Sequence, residues 1–292
     1  MTSLTFLGTG TSQGVPIISC HCPTCSSADP RDKRFRSAAL VHMDGLTILV
    51  DAGPDFRSQM LAQDVCHLDA ILLTHNHKDH TGGIDDVRAF NYVDRKAVDI
   101  YCEPLVLDTL RNDYGYAFAE HKYPGSPEWR IHLIDERPFR VNPTGDDGIL
   151  EWVHDEGYFY RQPDGSLKPS DNAIGEASHE QPNIIPIRGM HGAMPVLGFR
   201  FGDIAYITDV NRIPESEFSK LQDLEHVTLN TVGYKPHHSH LSLDEAIGLA
   251  RRIGARHTWL THLSHVFPPH AEFCRQLPPD IQPAYDGLTI TD

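Results

Sequence analysis

The stretch that decides the fold is residues 70–80, which read Ala-Ile-Leu-Leu-Thr-His-Asn-His-Lys-Asp-His. A short apolar run, typical of a buried strand, leads directly into three imidazoles and one carboxylate. A tight turn after the strand lets His75 and His77 face one cation, while Asp79 and His80 face a second cation about 3.5–4 Å away. Imidazole nitrogen with a hard oxygen suits zinc, manganese or iron better than calcium. We therefore predict a two-metal site at a strand end; the alternative is a solvated loop that is merely rich in histidine.

Three further candidate ligands also stand at the end of short apolar runs: His191, Asp209 and His262. Rigid strands meet variable loops at such positions in layered α/β proteins, and binding sites collect there. Taken singly, either histidine would more often be a surface residue or a satisfied core residue. Together with the first stretch they make seven candidates, enough for two metals that share Asp209.

The His-x-His-x-Asp-His motif resembles the signature of the metallo-β-lactamase superfamily. The resemblance implies an α/β fold, the four-layer αβ/βα sandwich, with the site at the edge between two β-sheets. We expect residues 1–292 to form one hydrolase domain of this fold, with an insertion or lid within 108–182. The ligand sets that the family implies are His75, His77 and His191 for the first metal, Asp79, His80 and His262 for the second, and Asp209 as the bridge.

Asp51 follows an apolar run and precedes Gly53. It matches the acidic turn that the superfamily places at a strand end, where the carboxylate holds a ligand histidine by a hydrogen bond. The alternative is a plain turn aspartate ahead of a glycine.

A second motif, Cys-His-Cys-Pro-Thr-Cys, occupies residues 20–25. Three thiols this close favour a closed structural zinc site, which needs a fourth ligand. His265 can complete a Cys₃His set with Cys20, Cys22 and Cys25, and His21 is the local alternative. Disulfides are less favoured because six cysteines in 292 residues are few and the other three are scattered.

These cysteines, the preceding glycine loop at residues 8–14 and Thr-His-Leu-Ser-His at 261–265 resemble the PhnP-like phosphodiesterases. The resemblance runs from about residue 4 to the carboxyl terminus, and it implies that the Cys₃His set with His265 binds the structural zinc. His240 falls where that family has a histidine that contacts the phosphate and protonates the leaving group. The alternative is an exposed member of the cluster 237–240. A helix capped by Ser242 would hold His240 at its amino terminus.

The resemblance implies a phosphodiesterase that hydrolyses a small or cyclic phosphodiester through a hydroxide bridging the metals, with His240 and Asp79 as catalytic residues. The implied cofactors are two divalent ions, manganese or zinc, and one structural zinc. Three alternatives stay open: a thioester hydrolase of the glyoxalase II type, an enzyme like the tRNA 3′-end ribonuclease, and a non-catalytic accessory protein of a cofactor biosynthesis pathway.

Composition bounds the partners. With 25 basic and 40 acidic residues the net charge is −15, so we expect the protein to repel long nucleic acid. A small anionic phosphodiester can still bind, because two divalent cations make the charge at the site positive. The sequence shows neither a run of ~20 apolar residues nor a basic-then-apolar leader, so we expect a cytoplasmic protein without a membrane anchor. A homodimer is expected by resemblance alone.

The region within 108–182 leaves two interpretations open. Its aromatic stretch at 114–123 predicts either a helix that buries an aromatic face or a lid above the metals. The polar stretch 155–182 predicts a loop or hairpin insertion between strands.

Overall fold

Two large sheets form the centre of the fold, and helices cover their outer faces. The computed structural model describes residues 1–142, 148–153, 156–170 and 174–292. Within those ranges the strands are β1 (Ser3–Gly8), β2 (Ala38–Met43), β3 (Leu46–Val50), β4 (Ala70–Leu72), β5 (Val98–Cys102), β6 (Trp129–Leu133), β7 (Ile149–Val153), β8 (Gly157–Arg161), β9 (Leu167–Pro169), β10 (Ile174–Glu176), β11 (Ile185–His191), β12 (Met194–Phe201), β13 (Ile204–Tyr206), β14 (His226–Asn230), β15 (His257–Thr261), β16 (Ile281–Pro283) and β17 (Thr289–Thr291).

The helices lie on the outer faces and in the loops. The α-helices are α1 (Phe56–Ala62), α2 (Lys78–Thr81), α3 (Arg88–Asp94), α4 (Pro104–Asp113), α5 (Leu243–Ile253) and α6 (His270–Phe273). Short 3₁₀ helices cover Pro30–Asp32, Ile84–Val87, Gly115–Phe118, Glu215–Leu221 and Cys274–Gln276. Among these described helices, each is too short or too polar to cross a membrane.

The first sheet has the strand order β10-β6-β5-β4-β3-β2-β1-β17, and the second has the order β11-β12-β13-β14-β15-β16. Their central strands are buried on both faces, so apolar residues run continuously and alternate between two cores. In β3, Ile48 and Val50 pack between the sheets, whereas Leu49 faces the layer of α1, α3 and α4. A third core lies between the second sheet and α5. The predicted four-layer αβ/βα sandwich is confirmed.

Strand direction decides where the site lies. β3, β4 and β5 run parallel, as do β13, β14 and β15, so the carboxyl ends of each set meet at one edge of their sheet. The two edges meet, because the amide of Leu197 in β12 donates to the carbonyl of Thr74, just after β4, at 3.0 Å. The predicted ligands His75, His191, Asp209 and His262 each follow or end a strand at this junction.

The chain within 108–182 does not form one contiguous insertion. β6 and β10 join the first sheet, while β7, β8 and β9 form a separate three-stranded sheet. That small sheet contacts the beginning of β5, where the Leu150 amide donates to the Arg95 carbonyl at 2.8 Å, at the end of β5 away from the strand-end junction. Parts of the polar stretch at 155 and 171–173 lie outside the described residues. The single-domain assignment and the role of this region as an insertion or lid stay predictions.

The aromatic residues directly after α4 pack inward. Tyr114 and Phe118 make edge contacts with the buried ring of Trp129, and the Tyr114 hydroxyl donates to the Thr81 carbonyl at 3.1 Å. These aromatic residues therefore anchor α4 against the sheet behind α2, the helix that carries Asp79 and His80.

The glycine loop at residues 8–14 passes close to neighbouring backbone. A Cβ at Gly8 would lie 1.9 Å from the Arg36 carbonyl oxygen, a distance no side chain tolerates. Gly10 forms a bridge with Leu263, and the Leu263 amide donates to the Thr9 carbonyl at 2.8 Å. The loop therefore holds the backbone next to His262.

Candidate metal centre

The seven predicted ligands of the dinuclear site all lie at the junction of the two sheets. His75 follows β4, and α2 supplies Asp79 and His80. His191 is the last residue of β11, Asp209 follows β13 and His262 follows β15. His77 is the residue before α2 and is the exposed member of the set.

The second predicted ligand set converges closely. Single ligand atoms of Asp79, His80, Asp209 and His262 all lie within 4.8 Å of one another. The Nε2 atom of His80 is 3.4 Å from an Asp79 carboxylate oxygen and 3.3 Å from Asp209 Oδ2. Ligand atoms that share one metal at 2.0–2.2 Å are separated by about 3.0–3.4 Å, so these spacings fit a divalent ion.

The first predicted set is looser but adjacent. The ring centroids of His75 and His77 are 4.7 Å apart, those of His77 and His191 are 5.0 Å apart, and those of His75 and His191 are 5.8 Å apart. Ligand atoms of His191, Asp209 and His240 also fall within 4.8 Å of one another, a grouping that the sequence did not indicate. Asp209 belongs to both groups, which is the position expected of a bridging residue.

Hydrogen bonds fix which nitrogen of His75 and of His80 faces the centre. Asp51 is fully buried, and its Oδ2 lies 2.6 Å from Nδ1 of His80. The Thr74 hydroxyl lies about 3 Å from both Asp51 oxygens and 2.9 Å from Nδ1 of His75. Because the hydroxyl proton goes to the carboxylate, Thr74 accepts the Nδ1 proton of His75. The Nε2 atoms of His75 and His80 are left buried without a hydrogen-bond partner among the described residues.

Those unpartnered nitrogens are the observation that fits a metal. A buried ring nitrogen without a hydrogen-bond partner is costly, and divalent ions at the two predicted positions would satisfy these nitrogens. The contact predicted for Asp51, a hydrogen bond to a ligand histidine, is present, and Thr74 adds a second one that the sequence analysis missed. Its position directly before His75 was the available signal.

Two further contacts orient the remaining histidines. The Asp209 backbone carbonyl lies 2.9 Å from Nδ1 of His191. Ser37, which is buried, has its hydroxyl 3.0 Å from the Gly10 carbonyl and 3.1 Å from Nδ1 of His262, a nitrogen that is also 3.2 Å from Asp209 Oδ2. Nothing local in the sequence marks Ser37, because 225 residues separate it from His262.

The backbone is also specialised here. Asp51, Asp209 and His262 have φ values of 66°, 58° and 55°, in the left-handed region that ordinary residues seldom adopt. Such conformations persist only where the surrounding structure enforces them, and they cluster at functional sites.

Charge at the centre follows from burial and neighbours. Burial alone would lower the pKa of His80, but the carboxylates of Asp209, Asp51 and Asp79 hold that pKa well above its ordinary value. Burial, followed by the charge of His80, lowers the pKa of His75 well below its ordinary value, so His75 is a neutral ligand. Burial opposes ionisation of Asp209, yet His262 and His80 keep its pKa well below the usual range.

His240 lies beside this centre. Its ring centroid is 4.6 Å from that of His191 and 4.8 Å from that of His262, and its Nδ1 is 3.6 Å from Asp209 Oδ1. Burial, and then the charge of His262, lower the pKa of His240 to about 3, so its imidazole is neutral at pH 7 before an anion binds. The capping box predicted for α5 is present between Ser242 and Glu245 and fixes the chain just after His240.

The cysteine motif meets His265, not His21. The Sγ atoms of Cys20, Cys22 and Cys25 lie 3.1, 3.6 and 3.7 Å from His265 Nδ1. A tetrahedral zinc with Zn–S near 2.3 Å and Zn–N near 2.0–2.1 Å separates sulfur from nitrogen by about 3.6 Å. All three cysteines are free thiols. A backbone hydrogen bond from Cys25 lowers the pKa of Cys22 to about 6, which favours the thiolate form that binds metal.

Known proteins resemble this chain along most of its length. The family model described as the β-lactamase superfamily domain matches residues 47–263. An octanoyltransferase of Porphyromonas gingivalis is 36% identical over 284 residues, which cover 97% of this chain and 50% of that protein. This chain therefore spans about half the length of that relative. A ribonuclease Z of Streptomyces coelicolor is 27% identical over 271 residues, covering 86% of this chain and 88% of that protein.

A solved structure described as a new diphosphatase from the PhnP family is 32% identical, with a TM-score of 0.79, and covers 100% of this chain and 98% of that one. Members of the superfamily use divalent metal ions, which the converging ligand groups at the strand ends fit. Sequence, fold and site geometry agree, and the chain is a PhnP-like member of the metallo-β-lactamase superfamily.

Proposed function

We propose that this protein is a dinuclear phosphohydrolase that cleaves a phosphorus–oxygen bond in a small phosphoric diester or a disubstituted diphosphate. The observation that carries the proposal is the position of Asp209 between two ligand groups, with Oδ2 near His80 and His262 and Oδ1 near His240. The PhnP-family neighbour is described as a diphosphatase, which supports phosphoanhydrides as substrates beside diesters.

The proposed ligands are those of the family. His75, His77 and His191 would hold one ion, Asp79, His80 and His262 would hold the other, and Asp209 would be shared between them. When bound, two divalent ions lower the pKa of water and offset charge on phosphoryl oxygens. The residues of the chain orient that chemistry: Asp51, Thr74 and Ser37 hold the imidazoles, and the ionised Asp209 keeps the two positions close together.

His240 is the proposed contact to the substrate phosphate. Its Nδ1 is buried without a hydrogen-bond partner among the described residues, so it is free to meet an incoming group. A bound phosphate anion favours the protonated imidazole and so raises the low pKa of His240 toward that of a competent acid. In this role His240 donates its proton to the departing oxygen.

The leaving group tests that role. We expect His240→Ala to retain both metals and to lose turnover most for substrates with poor leaving groups, because acidic leaving groups need no proton. His179→Ala, which changes an exposed histidine on the chain beyond β10, is the matched control. Equal losses for good and poor leaving groups would count against proton donation.

We further propose that Cys20, Cys22, Cys25 and His265 hold a structural zinc. The four ligand atoms leave no open position for a substrate, as in closed structural sites. Elemental analysis checks this: the wild type should contain one more zinc than Cys22→Ser, whereas Cys66→Ser, at an exposed cysteine, should change nothing.

The experiment for the main proposal is a substrate panel with protein reconstituted separately with manganese and zinc. It contains bis(p-nitrophenyl) phosphate, the matching monoester, a disubstituted diphosphate and an octanoyl thioester, the last because a relative is named an octanoyltransferase. Turnover of the diester or diphosphate that disappears in Asp209→Ala, but persists in the exposed-site control Asp203→Ala, supports the proposal. Thioester turnover alone, or none with both metals bound, would overturn it.

A further inference from the structure

The loop between β14 and α5 forms the rim of the metal centre. Its ends are fastened together: Gly233 and Ser242 form a parallel bridge, and the Leu243 amide donates to the Gly233 carbonyl at 2.8 Å. A loop whose ends lie this close is an Ω-type loop, a common carrier of binding residues. We call residues 233–242 the rim loop.

The rim loop is also fastened to the centre. Asn211, two residues after Asp209, donates to the His238 carbonyl at 2.9 Å and accepts from the Gly192 amide, next to His191, at 3.2 Å. The inner end of the loop supplies His240 to the site. The outer part therefore has a fixed position relative to the predicted ligands.

Five consecutive residues of the rim loop, 234–238, are exposed, and they read Tyr-Lys-Pro-His-His. The loop contains no Asp or Glu, although the whole chain has a net charge of −15. The ring of His237 lies 5.1 Å from the ring of His240 and 4.4 Å from the ring of His238. Hydrogen-bond donors and one lysine therefore continue outward from the proposed phosphate contact.

The tautomer of His237 suits an anion. The backbone N–H of Ser239, a buried residue, donates to His237 Nδ1 at 3.4 Å. An imidazole that accepts at Nδ1 carries its proton at Nε2 when neutral, so Nε2 is a donor. Lys235 adds a full positive charge, and ammonium groups commonly bind phosphate.

We propose that Lys235, His237 and His238 bind a second phosphoryl group of the substrate, adjacent to the phosphorus that His240 contacts. This inference rests on the proposed function and narrows it, because it favours substrates with a disubstituted diphosphate over simple or cyclic diesters. The short spacing between His237 and His240 suits two phosphoryl groups joined through one oxygen.

Binding to the manganese-loaded protein tests the inference without requiring turnover. The probes are dimethyl phosphate and symmetrical dimethyl diphosphate, which has one methyl ester on each phosphorus, both titrated by calorimetry. We expect the wild type to bind the diphosphate at least about tenfold more tightly, the scale of one charge-assisted hydrogen bond. Lys235→Ala should reduce that preference, and the variant with alanine at 235, 237 and 238 should reduce it to less than about twofold.

The matched control carries alanine at Lys168, His179 and His42, which are exposed and lie outside the rim loop. It should keep the wild-type preference. A wild type without preference for the diphosphate, or a rim-loop variant that keeps the preference with both metals bound, would overturn the inference. Turnover of bis(p-nitrophenyl) phosphate, measured in parallel, reports separately on the proposed function.

Discussion

The two candidate metal sites of this protein are held in opposite ways. At the dinuclear centre, buried histidines donate hydrogen bonds from Nδ1 to hydroxyls beside the strands of the two sheets, such as those of Thr74 and Ser37. At the cysteine site, three thiols from one loop contact mainly one another and His265. Protein packing therefore preorganises the first site, whereas we expect the second to depend on a bound ion for its stability. Sites of the second kind contribute directly to folding stability.

One segment connects the two sites. Residues 261–265 supply His262 to the dinuclear centre and His265 to the thiols. Leu263, between them, is held by the glycine loop, and the Thr24 hydroxyl donates to the Phe267 carbonyl at 2.6 Å. We therefore expect substitutions at the cysteine site to disturb the dinuclear centre as well. Substitutions at the dinuclear centre should leave the cysteine site unchanged.

The largest expected effect is on activity at the preorganised site. Asp209→Ala removes the residue common to both ligand groups, so we expect kcat/KM for the diester to fall by at least about 10³-fold. The fold should persist, because the surrounding hydrogen bonds belong to the sheets. Kinetics with metal analysis and circular dichroism check this, and an unfolded variant would argue that the metals also build this site.

The next effect is on stability at the cysteine site. Cys22→Ser removes a thiolate ligand, and we expect a loss of about 2 kcal/mol, or roughly 5 °C in Tm. Thermal unfolding measures it, with Cys66→Ser as the exposed control. An unchanged Tm together with retained zinc would mean that this site is not structural.

A smaller effect is expected at Asp51. Asp51→Asn weakens the hydrogen bond that fixes His80, so affinity at the second metal position should fall about 10–100-fold while the fold is kept. The control is Asp64→Asn, because Asp64 is exposed and shares the left-handed backbone of Asp51. Metal titration by calorimetry measures the change in affinity. Equal metal affinities of the wild type and Asp51→Asn would show that the sheets position His80 without Asp51.

Metal binding at the preorganised site should release protons. His80 has a raised pKa in the metal-free protein, so it retains a proton that a metal must displace. Metal affinity should therefore rise by about tenfold per pH unit, for one displaced proton, as the pH is raised toward the raised pKa of His80. Above that pKa, where metal-free His80 is neutral, the affinity should level off. Calorimetry in two buffers of different ionisation enthalpy gives the number of protons released on metal binding. Release of no proton at pH 7 would refute the assignment of a protonated His80 in the metal-free protein.

The smallest effect is expected at Ser37. Ser37→Ala removes one hydrogen bond to His262, worth about 1 kcal/mol, or roughly fivefold in metal affinity. Ser219→Ala, at an exposed position, should have no effect. A loss beyond about 100-fold would mean that Ser37 supports the whole segment 261–265 and not one imidazole.

The sequence by itself determined the fold and the residues that could bind metal. Apolar runs ending in His75, His191, Asp209 and His262 predicted buried strands with ligands at their ends. This was possible because a buried strand is encoded by the apolar residues of one short segment. The three thiols of the cysteine loop were equally visible, since their spacing is local.

Only the tertiary structure decided which partners complete these groups. In the structure the three thiols lie next to His265 and not His21. Ser37 contacts His262, and His240 lies close to Asp209. The tertiary structure also moved the aromatic stretch after α4 into the packing against Trp129. These contacts join residues far apart in the chain, and their geometry depends on how the two sheets pack, which no local pattern encodes.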